Sequence, residues 1–236
     1  SEYGFAFSGT IANPFAIYNT SIAISDVTIA HVAAVAPSTD TQKFFVQTNN
    51  STKAVSNVTI SHSLINGYQN GYWATSAGYT MANWTFEYNA ALNGFSSAAN
   101  HGEWINNNYG LAQNQVTRFN LFEGSSSGCM TGMIVANNNN NIGSKVYGNV
   151  FNNVKGCNGL VTGTSAGQLN NAEVYNNTFV NSNTGIAAFN GPGTGNVAYN
   201  NLFYNNTNYD GVLLTANNIN TSSFTSTNNY TVSVNP

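Results

Sequence analysis

Charge is what this sequence has least of. Only 6% of its 236 residues are Asp, Glu, Lys or Arg, against about 25% in an ordinary soluble domain. Five Lys and Arg against eight Asp and Glu leave a formal net charge of -3. A protein that grips a phosphate backbone needs a basic surface, so nucleic-acid binding is excluded as a function class. No uninterrupted apolar run approaches the roughly 18–20 residues of a spanning helix, so no membrane insertion is expected. The Asp residues do not have calcium-loop spacing, and the Cys and His residues do not have zinc-ligand spacing. No Gly-rich phosphate loop follows a strand and opens a helix. The expectation is therefore no cofactor and no metal, with Ca2+ unsupported. Proline is scarce at four residues. The sequence begins at Ser1 without an initiator Met and reads as a mature or trimmed product.

What is present is a core and a great deal of asparagine. Hydrophobic residues make up 42% and aromatics 13% of the chain, too many for a disordered polar tract. About one residue in five is Asn, far above ordinary usage. Asn is a poor helix former but suits turns and left-handed backbone. Its regular interleaving with Val, Ile, Phe and Tyr predicts evenly spaced turns between short strands. Nine Asn-x-Ser/Thr sequons occur, at Asn19, Asn49, Asn50, Asn57, Asn83, Asn176, Asn205, Asn220 and Asn229. Chance produces such sites in so Asn-rich a chain, so they do not imply glycosylation.

One pattern recurs: an apolar residue or pair, then Asn or His, then further apolar residues. It is seen at Val27–His31, Val58–Leu64, Trp84–Asn89, Val116–Phe122, Val146–Phe151, Val174–Phe179 and Val197–Phe203. Its anchors are His31, His62, Asn89, Asn120, Asn149, Asn177 and Asn201, separated by 31, 27, 31, 29, 28 and 24 residues. A Gly-led strand follows most anchors, after Gly71, Gly132, Gly159, Gly185 and Gly211. A period of roughly 20–30 residues made of short strands is the mark of a solenoid. Stacked coils would bring the anchor amides about 4.8 Å apart, where each donates to and accepts from the next. Asn89, Asn120, Asn149, Asn177 and Asn201 are thus predicted to form an internal ladder, with His31 and His62 substituting for Asn in it.

On these segments the chain resembles the right-handed parallel β-helix superfamily of pectate-lyase-like proteins, over about residues 20 to 236. The fold class expected is all-β, a right-handed parallel β-helix of about seven or more coils. The whole chain, 1–236, is read as one domain, with 1–20 an N-terminal strand or cap segment and 21–236 stacked coils. A globular β-sandwich is the alternative, but it calls for turn signals every 8–12 residues without a common coil pattern.

Cys129 and Cys157 are 28 residues apart, at matching places ahead of Gly-led strands. Adjacent coils would bring them within disulfide reach, and a bridge would indicate an oxidising, extracytoplasmic setting. Two buried thiols are the other reading. The expected location is extracellular or at the cell surface.

Candidate chemistry is sparse. His101, Glu103 and Trp104 fall within Asn100–Asn106, where His101 and Glu103 would share one side of a strand. This stretch resembles the calcium-assisted alginate-lyase branch, in which a Glu on a β-helix strand binds the metal, a nearby Lys acts as base and an Arg on the next coil as acid. The matching places here fall near Asn108 and near Ala136 or Asn137, so both basic residues are missing. Arg118 and Glu87 precede their anchors by two residues each and are predicted to pair across neighbouring coils. Trp73, Trp84 and Trp104 are candidate stacking planes for a sugar. The Gly-led face carries Ile134, Val161, Ala187, Phe189 and Leu213, a poor cleft for an acidic polysaccharide.

No helical cap is visible at either end; Tyr3–Ile11 and Asn229–Val234 alternate like strands. Uncapped solenoid ends recruit other chains, and head-to-tail contact gives filaments. The function expected is an extracellular structural β-solenoid, a filament, matrix or adhesin subunit. Its partners would be copies of itself or neighbouring β-helix segments. The alternative is a polysaccharide lyase, epimerase or glycan-binding β-helix acting on extracellular polysaccharide.

Overall fold

The computed structural model describes residues 5–8, 14–17, 22–36, 44–48, 53–74, 80–96, 102–107, 111–124, 129–134, 140–154, 158–161, 168–188, 193–214 and 224–232. Among these there is no helix, and the strands join three parallel sheets. Sheet A has nine strands, from Phe5–Ser8 and Val32–Val35 through Leu64–Asn66, Ala90–Gly94, Leu121–Gly124, Val150–Asn152, Thr178–Val180 and Leu202–Tyr204 to Tyr230–Val232. Sheet B has eight, running from Phe15–Ile17 to Tyr209–Leu214 and including Gly102–Asn107, Met130–Ile134 and Asn158–Val161. Sheet C takes two short strands from most passes of the chain, such as Thr80–Ala82 with Thr85–Glu87 and Leu111–Gln113 with Val116–Arg118. Each pass therefore visits C, A and B in turn before starting the next layer. The chain is a parallel β-solenoid.

Left-handed residues turn the corners. Asn83, Asn114, Gly143, Asn171 and Gly195 bend the chain within sheet C. His31, His62, Tyr88, Phe119, Gly148, Asn176, Asn200 and Asn228 turn it from sheet C into sheet A. Gly67, Asn93, Asn153, Asn181 and Asn205 do so after sheet A. All have φ between 49° and 76°, a region that Asn and Gly adopt readily and bulky side chains, such as Tyr88 and Phe119 here, only rarely. The Asn excess therefore has two uses: exposed corners and a buried ladder.

The buried ladder immediately follows the corner into sheet A. The Asn120 backbone N–H and Nδ2 both donate to Asn149 Oδ1, at 3.0 Å each. Asn149 treats Asn177 in the same way at 3.0 Å, and Asn177 so treats Asn201. The spare Nδ2 hydrogen reaches a carbonyl of the coil before, Phe86 for Asn120 and Thr117 for Asn149. Asn229 extends the ladder beyond its predicted end, accepting from Asn201 at 2.8 and 2.9 Å. At the other end the expectation is corrected. His31 and His62 sit one position ahead of the ladder, on the exposed corner, and Ser63 takes the ladder place, its N–H donating to Asn89 Oδ1 at 3.0 Å. Their rings stack on each other at 5.1 Å.

Inside, sheet A supplies a phenylalanine stack. Phe122, Phe151, Phe179 and Phe203 are fully buried, with successive ring centroids 5.0, 4.7 and 5.2 Å apart. Sheet B answers with glycine: a Cβ on Gly132 would lie 2.5 Å from Phe151, and one on Gly159 would lie 2.6 Å from Phe179. Where sheet A carries Ala91 instead, sheet B carries Trp104, and Met130 and the Trp104 ring crowd Gly94. Large residues thus meet small ones across the core, as close packing requires.

Candidate functional site

The sequence-predicted cluster centres on the strand Gly102–Asn107, in which all six residues are buried. Glu103 is 5% exposed and lies in register with Asn70 of the preceding coil. Its N–H donates to Asn70 Oδ1 at 3.3 Å. Among the described residues, neither Glu103 Oε2 nor Asn70 Nδ2 has a hydrogen-bond partner. Burial pushes the Glu103 carboxyl up to about 7, against the opposing effect of a hydrogen bond from Asn106. A buried acid in this range holds a proton near neutrality. His101, its expected companion, lies outside the described residues.

Two of the three candidate tryptophans are placed otherwise than expected. Trp104 is fully buried, its Nε1 donating to the Glu123 carbonyl at 3.2 Å. Trp84 is 5% exposed, donates to the Val55 carbonyl at 3.2 Å and packs on Tyr72. Both belong to the core, and neither turns a ring face to a sugar. Their indole N–H groups have carbonyl partners, which permits burial of so large a ring. The Trp73 backbone pairs with Asn106; its side chain lies outside the described residues. Beside Trp84, between sheets B and C, Ile60, Tyr72, Ile105, Asn107 and Gln115 help enclose a cavity of about 20 Å³, the size of a water site. Among the described residues, no carboxylate, His, Lys or Arg lines it. Asn107 Nδ2 donates to Gln115 Oε1 at 2.6 Å, and Gln115 Nε2 returns a bond at 3.3 Å.

Arg118 is drawn into an ion pair, as its spacing from Glu87 predicts. Glu87 and Arg118 are register partners, with Arg118 Nε 2.6 Å from Glu87 Oε2 and Nη1 2.9 Å from the Tyr147 hydroxyl. The Tyr147 hydroxyl and Glu87 together hold the guanidinium above its ordinary range. Lys145 and Glu173 form a second cross-coil pair at 3.2 Å. Among the described residues no three His, Cys, Asp or Glu side chains gather where a metal ion would need them. Cys129 stands just ahead of Met130–Ile134; Cys157 lies outside the described residues, and the predicted pairing with it.

The sequence reading missed a surface. Residues on either side of the buried column of sheet A face outward; Leu64, Ala90, Leu121, Val150, Thr178 and Leu202 stand in one register column, all apolar except Thr178. The signal was the repeated pairing of Leu or Val with Phe, which puts two adjacent apolar side chains on opposite faces of a strand. No family model matches the chain, and no curated protein matches it.

Proposed function

We propose that this solenoid is an extracellular structural subunit that assembles through its coil ends, with a second copy or a neighbouring β-helix segment continuing the stack. The observation that carries this reading is the state of the last described coil. Ser226 and Thr231 occupy the columns of Ala198 and Phe203, which are fully buried one coil earlier. In the last coil both are exposed, as are Tyr230 at 64% and Val232 at 44%. Interior columns that are exposed in the last described coil are a template for a further coil. A contact of that kind does not close on itself and yields a filament. The low charge supports the same reading, since charge is what usually blocks strand edges.

Negative-stain microscopy of the purified protein at high concentration tests this reading, with filaments one solenoid wide expected. Ser226→Lys with Thr231→Lys puts two charges into the open columns and should leave short single particles. Wild-type particles that stay monomeric at every concentration would overturn the proposal. The extracytoplasmic setting is tested through the cysteines. A Cys129–Cys157 bridge leaves no thiol reactive under denaturing, non-reducing conditions, whereas two labelled thiols would remove that support.

A second reading, a pectate-lyase-like enzyme acting on polysaccharide, is favoured by Glu103 alone, as a buried acid holding its proton near neutrality. It makes a separate prediction: unsaturated product from alginate or pectate, abolished by Glu103→Ala.

A further inference from the structure

The hydrophobic surface of this molecule is not scattered. Eight large hydrophobic side chains are exposed among the described residues, and six of them, Val35, Tyr88, Phe119, Val150, Tyr230 and Val232, lie on the outer face of sheet A or the corner leading into it. Between them runs the register column Ala33, Leu64, Ala90, Leu121, Val150, Thr178, Leu202 and Tyr230, in which only Thr178 is polar without being aromatic. The only charged side chain in the two outward columns of that face among the described residues is Glu123. Sheet C is the opposite case, carrying both cross-coil ion pairs on its outer face. An apolar patch gathered on one sheet face is the kind of surface that often marks an interaction site.

We propose that the outer face of sheet A is a lateral interface, on which a second copy of this chain packs face to face across a two-fold axis. Shape supports that occupant. The eight strands from Val32–Val35 to Tyr230–Val232 stack in parallel, with a register shift between Ala91 and Gly94, so the face is one continuous sheet that a second copy can meet across a two-fold axis, and two such sheets pack about 10 Å apart. At about 4.8 Å per strand and about 3.3 Å per residue, the face offers a footprint on the order of 450 Å² per partner. That falls at the weak end for protein pairs, so pairing of single molecules needs high concentration and strengthens when many subunits lie in line. The face is less suited to a sugar. The exposed rings are stacked on one another, Tyr88 on His62 at 5.0 Å and on Phe119 at 5.2 Å, which hides the ring faces a pyranose would use. This pairing is independent of end-to-end stacking and uses different residues from those that block it.

Sedimentation velocity over a concentration series tests the proposal, with the Ser226→Lys, Thr231→Lys protein as background so that axial growth is blocked. A reversible dimer is expected there, with a dissociation constant raised at least 10-fold by Leu121→Lys with Leu202→Lys. Thr178→Arg, at the column's polar position, removes no apolar packing and should weaken the dimer in the same direction if the double variant does not fold. Thr59→Lys, on the outer face of sheet C, should leave it unchanged. A background protein that stays monomeric at hundreds of micromolar, or a dimer indifferent to Thr178→Arg and the Leu substitutions, would overturn the proposal. So would retention of monomers on insoluble polysaccharide that is lost with those same substitutions.

Discussion

At the scale of single residues, the two kinds of asparagine in this chain differ sharply in what they hold. Asn149 gives up its Nδ2 to Asn177 Oδ1 and the Thr117 carbonyl, and its Oδ1 takes two donors from Asn120. Asn149→Ala would strand several buried groups, each costing about 1–3 kcal/mol. The expected loss is at least about 3 kcal/mol, read as a lower urea midpoint with unchanged slope. Asn176, on the exposed corner just before the next ladder residue Asn177, is held by backbone conformation, and Asn176→Gly should cost only a few tenths of a kcal/mol. The periodicity made the Asn column readable from Asn89 to Asn201. It did not separate ladder from corner, and so His31 and His62 were placed one residue out. A left-handed corner disfavours ring-bearing residues other than His, so Tyr88 and Phe119 there were invisible until stacking along the corner was seen. Glu103 allows a sharper test. Its carboxyl lies near 7 when folded and at an ordinary value of about 4.5 when unfolded. The folded state therefore binds the extra proton between those values. Stability from this group is full below about 4.5 and is lost as pH rises through about 7. Glu103→Gln should flatten that decline and gain up to about 3 kcal/mol at pH 8; equal melting curves for the two proteins at pH 8 would refute the burial argument.

At the scale of strands, stability comes from matched sizes across the core. Gly159 faces the Phe179 ring and the Gly185 carbonyl, at 2.6 and 2.8 Å from where its Cβ would lie. Gly159→Val should cost at least about 1–3 kcal/mol by overpacking, whereas Arg118→Ala, which breaks a pair with a 36% exposed guanidinium, should cost under about 1 kcal/mol. Thermal unfolding of the two variants side by side checks the order. The Gly-led strands were legible as strands, but the reason for the glycine was not, because it rests on a Phe of the neighbouring coil. The same holds for Trp104, whose ring occupies the space that a side chain at Gly94 would need. The first half-strands of sheet C, such as Asn140–Ile142, escaped the sequence reading because three residues carry no measurable alternation. The candidate site was legible only in part: the Glu87–Arg118 pair followed from matching offsets, while the isolation of Glu103 required the burial around it.

At the scale of the whole molecule, two surfaces are proposed to make contacts: the last described coil and the outer face of sheet A. Both are poor in charge, and the two described ion pairs lie on the third surface, sheet C. Association through either surface should therefore respond to salt in a particular way. Screening acts over about 10 Å at 0.1 M and matters only where charges meet, so raising sodium chloride from 50 to 500 mM should leave assembly unchanged. Sulfate is excluded from apolar surface and strengthens burial, so ammonium sulfate at equal ionic strength should shift both assemblies to lower protein concentration. Light scattering across the two salts separates these cases. Dissolution of the assemblies by sodium chloride would mean that charges hold them, and with both described ion pairs on sheet C that result would move the contact off the end and off sheet A together. Since the two contacts share a driving force but not a surface, Ser226→Lys with Thr231→Lys should abolish lengthening in sulfate while pairing persists. Leu121→Lys with Leu202→Lys should do the reverse.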